Sequence, residues 1–279
     1  MSSRASSQAA VANADVSSLI LLREDVGDIA ILTLNRPQTL NSLSEDMLEA
    51  LGDALTAIAH DTRVRVVILA ANGPAFSAGH DLKELQRHRS DEDKGRGYFK
   101  HVFATCSAVM QQIVALPQPV IAAVQATATA AGCQLVASCD LAVASRTAKF
   151  ATSGINVGLF CSTPMVALSR NVPRKAAMEM LVTGEMISAE RAETIGLVNR
   201  VVAPGEERDE ALKLANIIAA KSSVALKLGK EAFYRQLPML LAEAYEYTSA
   251  VMVDNLLARD AEEGMNAFIA KRPPKWEDR

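Results

Sequence analysis

An α/β fold, with a mostly parallel sheet followed by a helical C-terminal part, is predicted for this 279-residue chain by three observations. Short β-branched runs alternate with segments of helical periodicity up to about Ser145, the pattern of strands joined by crossover helices. Beyond Pro164 only residues 196–202 read as a strand of any length, and the remainder carries helical spacing. Hydrophobic residues make up 49% of the chain, enough to bury a sizeable core at this length. The same figure excludes intrinsic disorder. The formal charge of −3 argues against a nucleic-acid protein, whose affinity comes from a basic surface that neutralises phosphates.

Each element has a local reason. Residues 29–35 (IAILTLN) form a β-branched run that Arg36-Pro37 closes, because proline donates nothing to a ladder. Residues 44–60 read as a helix with Ser44 as N-cap and Leu48, Leu51, Leu55 and Ile58 along one face. A second strand, 65–70 (RVVILA), stops at Asn72-Gly73-Pro74. A second helix spans 97–116 and ends at Pro117. Residues 119–124 are a third strand, 131–138 a short core helix and 141–144 a fourth strand. C-terminal helices follow at 188–195, 206–222, 225–236, 240–257 and 260–270. Residues 1–18, rich in Ser and Ala and without the apolar core of a secretory signal, read as a tail. No formal charge occurs from Val102 to Cys139, yet Gln111, Gln112, Pro117, Gln118, Pro119 and Gln125 interrupt that run. It reads as buried core and not as a membrane span.

Several chemistries are absent from the motifs. No dinucleotide-binding glycine fingerprint, phosphate-binding loop or nucleophile elbow occurs. Four cysteines without a CxxC pair and four histidines without HExxH predict neither a disulfide framework nor a metal site. Ser77, His80 and Asp81 stand too close along the chain to form a relay, which is defined by geometry and not by composition. Two small-residue segments that each follow a strand are more informative: PAFSAGHDL (74–82) and TAAGCQL (129–135), the second opening a helix. Small side chains let a ligand approach the backbone, and a helix N-terminus offers free N–H donors with a partial positive charge. Two such donors aimed at one point make an oxyanion hole. On these residues alone, a tight turn with close helix packing is the simpler explanation.

Five blocks in order carry a resemblance: LNRPQTLNSLS (34–44), FSAGHDLKEL (76–85), AAGCQLVASCDLAVAS (130–145), EMLVTGEMISAERAETIGLVNRVV (179–202) and EGMNAFIAKRPPKW (263–276). With these, the chain from about residue 19 to 276 resembles the crotonase (enoyl-CoA hydratase/isomerase) superfamily. The phrases CQLVASCD, VGLFCSTP, VPRK and MVDNL match one subgroup of it more closely. The resemblance implies a crotonase-like spiral of ββα units with a helical C-terminal trimerisation module. The implied division is a tail at 1–18, a core at 19–203 and a helical module at 204–279, assembled as homotrimers or hexamers. The implied ligand is a coenzyme A thioester of fatty acid metabolism, with no permanently bound cofactor and no metal, nucleic-acid or membrane partner. The backbone N–H groups of Ala78 and Ala131 would form the oxyanion hole, Ala131 replacing the family's usual glycine. That donor survives if φ at Ala131 is negative. Ala78, Gly79, His80 and Asp81 would hold the adenine and pantetheine end, and Phe268 and Lys271 would reach the coenzyme of a neighbouring subunit.

The departures from the family pattern are equally specific. Gln134 and Gly154 stand where family hydratases have two acid–base glutamates, and Ser162 where other members have an aspartate. Each such group typically contributes about 10²–10⁴-fold in rate, so efficient hydration is not expected. Cys161, Ser162 and His80 remain polar candidates near the site, although Cys161 reads first as a buried apolar thiol and His80 as an exposed coenzyme-loop residue. The sequence leaves open catalysis by carbonyl polarisation, another thioester reaction such as hydrolysis or decarboxylation, and non-catalytic acyl-CoA binding. The compartment is the cytoplasm for a bacterial protein, with the mitochondrial matrix as the alternative.

Overall fold

The computed structural model describes residues 19–279; the expected tail at 1–18 lies outside them. Its centre is a sheet of six strands ordered β1-β2-β3-β5-β7-β10. These are β1 (Leu21–Val26), β2 (Ile29–Leu34), β3 (Val66–Ala71), β5 (Val120–Val124), β7 (Leu141–Ser145) and β10 (Arg200–Val202). Only the β1–β2 hairpin is antiparallel. A second sheet of four strands, β4-β6-β8-β9, lies beside it, built from β4 (Ala75–Ser77), β6 (Thr127–Thr129), β8 (Lys149–Ala151) and β9 (Ile187–Ser188).

Successive units therefore repeat one pattern: a long strand in the first sheet, a three-residue strand in the second, then a helix. They are β3, β4 and α2 (Leu82–His88), then β5, β6 and α4 (Ala131–Ser138), then β7, β8 and α5 (Pro164–Asn171). This is the expected ββα repeat. The short strands escape sequence reading because three residues are too few to display a period of two.

Strand alternation divides the core in two. Ala30, Leu32, Val67, Leu69, Val120 and Ala122 face helices α1 (Glu45–Ala59), α3 (Arg96–Ala115) and α4. Ile29, Ile31, Val66, Ile68, Ile121 and Val143 face the other way, onto Ala211, Ala215 and Ala219 of α8 (Glu207–Ala219). Both faces are thus covered, as parallel sheets require. Ser44 caps α1 by accepting from the Met47 N–H at 3.3 Å, as its position predicts.

Helices α6 (Arg174–Thr183), α7 (Ala189–Thr194), α9 (Ser223–Gln236), α10 (Leu241–Leu257) and α11 (Arg259–Ile269) complete the chain. Helix α9 is tied to the core by a nearly buried ion pair. Lys230 donates to Asp140 Oδ2 at 2.7 Å and to the carbonyls of Ile113 and Gln118, both at 3.0 Å. Tyr234 donates to the other Asp140 oxygen at 2.8 Å. No helix among the described residues is long and apolar enough to cross a membrane.

Candidate active site

The site forms where the turn after β4 meets the start of α4. Gly79, at φ 87°, makes that approach feasible: a Cβ there would lie 3.0 Å from both the Ala131 nitrogen and the Ala130 Cβ. Gly132 does the same one residue into α4, where a Cβ would fall 2.2 Å from the Ser77 carbonyl oxygen. From the other side, two consecutive left-handed residues, Leu40 and Asn41, shape the loop that backs the turn. Buried Asn41 fixes it, accepting from the Arg36 N–H and donating to the carbonyls of Asn72 and Ala75, each at 2.8 Å. Asn41 lies in the first resemblance block, but only the fold shows it stapling three chain segments.

Tracing the backbone donors through this turn corrects one expectation. The Ala78 N–H donates to the Leu40 carbonyl at 3.0 Å, and the Ala78 carbonyl accepts from Thr129 Oγ1 at 3.1 Å. Both of its main-chain groups are engaged, so Ala78 offers no free donor. Gly79 N–H turns to Ser77 Oγ at 3.3 Å, and its carbonyl accepts from Leu43 at 2.7 Å. The first N–H of the turn without an acceptor belongs to His80. On the facing element the Ala131 N–H, first in α4, likewise has none, as the start of a helix dictates. Ala131 has helical backbone with negative φ, so the condition set for its donor is met. The strain sits one residue earlier, where Ala130 is held at φ 49° and ψ −120°.

The two residues that carry these donors line one cavity of about 360 Å³. Ala78, His80, Ala131 and Gly154 all line it. So do Leu82 and Phe103 on one side and Val157, Leu159 and Phe160 on the other. No Asp, Glu, Lys or Arg is among the lining residues. Burial pushes the His80 imidazole pKa down, with the neighbouring Leu43 backbone opposing the shift. Neither ring nitrogen closes a hydrogen bond, and the ring packs edge-on against Phe103 with centroids 5.1 Å apart. Cys161 also lines the cavity; burial pushes its thiol pKa up, opposed by the Gly154 N–H that donates to Sγ at 3.3 Å. A Cβ at Gly154 would sit 2.6 Å from the Leu159 carbonyl oxygen and 2.8 Å from Cys161 Sγ. Glycine is therefore built into this turn, and a longer side chain requires the 159–161 segment to move.

The other expected residues lie elsewhere. Gln134, 4% exposed on α4, is outside the cavity lining and its Oε1 has no partner. Asp81 is a structural cap for α2: Oδ1 accepts from the N–H groups of Lys83 and Glu84 at 2.8 and 3.2 Å, and Oδ2 from Ser42 Oγ at 3.3 Å. Phe268 is 84% exposed on α11 and Lys271 follows that helix; neither lines the cavity.

Comparison with known proteins places this geometry. The family model described as enoyl-CoA hydratase/isomerase matches residues 24–279. The chain is 52% identical over 245 residues to the human protein named "Enoyl-CoA hydratase domain-containing protein 3, mitochondrial", covering 88% of this chain and 79% of that one. It is 36% identical to a probable enoyl-CoA hydratase of Rhizobium meliloti (strain 1021), covering 93% and 98%. Among solved structures, an enoyl-CoA hydratase of Mycobacterium smegmatis superposes with TM-score 0.89 at 54% identity, covering 93% of this chain and 99% of that one. The human enoyl coenzyme A hydratase domain-containing protein 3 gives 0.88 at 50%, covering 92% and 100%.

Proposed function

The chain belongs to the enoyl-CoA hydratase/isomerase family, and we propose that it binds a fatty acyl-CoA or related thioester and polarises its carbonyl between the N–H groups of His80 and Ala131. One observation carries this reading: two main-chain donors without acceptors, one in each small-residue bend, border a single cavity. Preorganised donors of this kind stabilise an enolate-like oxygen because they need no reorganisation as charge develops. Ala78 stays in the wall of the site but gives up the donor role to His80.

Hydration at the usual family rate is not part of the proposal. Gln134 and Gly154 occupy the positions read as the family's glutamates, and the cavity wall supplies no carboxylate in their place. An amide cannot exchange a proton near neutral pH, and glycine offers no group at all. With crotonyl-CoA and longer 2-enoyl-CoAs, turnover should fall at least about 10²-fold below an ordinary hydratase; comparable turnover would refute this part. Restoring both carboxylates is not a neutral graft. Gln134→Glu should fold, whereas Gly154→Glu should lose stability because its Cβ meets the Leu159 carbonyl.

The uncharged cavity favours a second reading, a non-catalytic acyl-CoA binder or regulator. It is told apart by calorimetric affinity for acyl-CoA without product in any thioester assay. Assembly into homotrimers or hexamers is supported by the large apolar side chains that α10 and α11 leave uncovered, among them Leu241, Leu257 and Phe268. In such an assembly Phe268 and Lys271 would reach a neighbour's coenzyme, Lys271 meeting phosphate as a point charge. The residue 203/204 division marks the assembly module, although α8 beyond it seals the central sheet. The relatives named as mitochondrial support the matrix alternative for the compartment.

A further inference from the structure

We infer that Cys161 is a nucleophile for α,β-unsaturated thioesters: its sulfur adds to the β-carbon of a bound 2-enoyl-CoA and leaves the acyl group joined to the chain as a thioether. The inference rests on the thioester reading above, and its ground is the position of the sulfur. Cys161 lines the same cavity as His80 and Ala131, and its Sγ accepts from the Gly154 N–H at 3.3 Å. A Cβ at Gly154 would lie 2.8 Å from that sulfur, so the thiol occupies space that a side chain at 154 would enter. Position 154 is also the one read as a family glutamate. Glycine there, with cysteine at 161, puts a thiol in the wall where a carboxylate is missing. Of the four cysteines only Cys161 lines the cavity, and burial pushes the Cys106 and Cys133 thiols up to about 12.

The chemistry of the acceptor fits the two main-chain donors. In a 2-enoyl thioester the β-carbon is conjugated to the carbonyl, so N–H groups aimed at the oxygen draw electron density away from that carbon. Burial holds the Cys161 thiol protonated, so activation lies with the acceptor and not with a preformed thiolate. As the S–C bond forms, the carbon–carbon π pair moves onto the α-carbon and carbonyl, giving the enolate that the two N–H groups stabilise. The thiol gives up its proton and the α-carbon takes one, so addition needs no leaving group, no oxidant and no net proton. The Gly154 N–H steadies the sulfur as it gains negative charge. Ser153, Ser162 and Thr163 in the same wall offer only hydroxyls, which are weaker nucleophiles than sulfur.

The test is to incubate the full chain with crotonyl-CoA, quench in acid and read intact and peptide masses. The chain should gain the mass of one whole crotonyl-CoA, carried on the peptide that contains Cys161. Butyryl-CoA has no acceptor carbon and should give no adduct. At roughly tenfold over its dissociation constant it should slow the crotonyl-CoA adduct about tenfold by occupying the site. Cys161→Ser should take no adduct while still binding butyryl-CoA more tightly than free coenzyme A. If that variant does not fold, the peptide map and the protection of the wild-type chain decide the matter. No adduct, an adduct on another residue, or one that butyryl-CoA does not slow would overturn the inference, while calorimetric binding of butyryl-CoA leaves the thioester site standing. Failure of butyryl-CoA to bind more tightly than free coenzyme A would overturn the thioester reading itself.

Discussion

Ala130 holds a conformation that L-residues rarely adopt, and it does so immediately before the Ala131 donor. A non-glycine residue in such a region costs roughly 1–3 kcal/mol, and surrounding structure must hold it there. Here the Ala130 N–H is fixed to the Ala151 carbonyl at 2.9 Å. Ala130→Gly should therefore raise stability by about 1 kcal/mol, the relief of strain exceeding glycine's entropic cost; urea unfolding measures this, and a loss of stability would contradict it. His80 gives a pH prediction. Its imidazole takes a proton less readily folded than unfolded, so the unfolded chain binds more protons below about pH 6.5. The stability it supplies is complete above that pH and is lost as pH falls towards the lowered folded value. Between pH 7.5 and 5.5 the wild-type urea midpoint should drop more than that of His80→Leu. The sequence could place His80 beside the site but not assign its N–H. That assignment depends on where the Leu40 carbonyl points, and the left-handed pair Leu40-Asn41 decides that from a distant stretch of chain.

Between elements, the Asp140–Lys230 pair locks α9 to the loops that follow α3 and α4. Burial pushes the Lys230 pKa down while Asp140 opposes the shift. Lys230→Met would leave Asp140 facing only its Val120 N–H and Tyr234 donors. A loss of about 3–5 kcal/mol is expected, since breaking a buried pair from one side strands the other charge. Thermal or urea unfolding checks it, and a change below about 1 kcal/mol would show that the pair does not lock the helix. At this scale legibility follows length. The bounds of α4, residues 131–138, and the strands β2, β3, β5 and β7 of the central sheet could be read from periodicity and proline stops, whereas β1, with Arg23, Glu24 and Asp25 exposed at its centre, could not. The strands β4, β6, β8 and β9, with two or three residues each, could not. Helices α2, α5 and α6 were hidden too: α2 buries none of its residues, and the other two present narrow apolar faces.

The whole molecule is a spiral of ββα units whose second sheet brings two turns, distant in sequence, to one point. The resemblance blocks made the architecture legible because three of them, 34–44, 76–85 and 130–145, sit at the ends of β2, β4 and β6. The donor pair was half legible: Ala131 from its place at a helix start, His80 only from the path of the backbone hydrogen bonds. Everything proposed about function depends on those two amides converging on one oxygen. A crystal structure of the protein with butyryl- or octanoyl-CoA tests that most directly. The account predicts the thioester oxygen within about 2.7–3.1 Å of both the His80 and Ala131 nitrogens, with the Ala78 N–H still bonded to Leu40. A thioester oxygen bound to Ala78, or lying beyond hydrogen-bond reach of either His80 or Ala131, would contradict it.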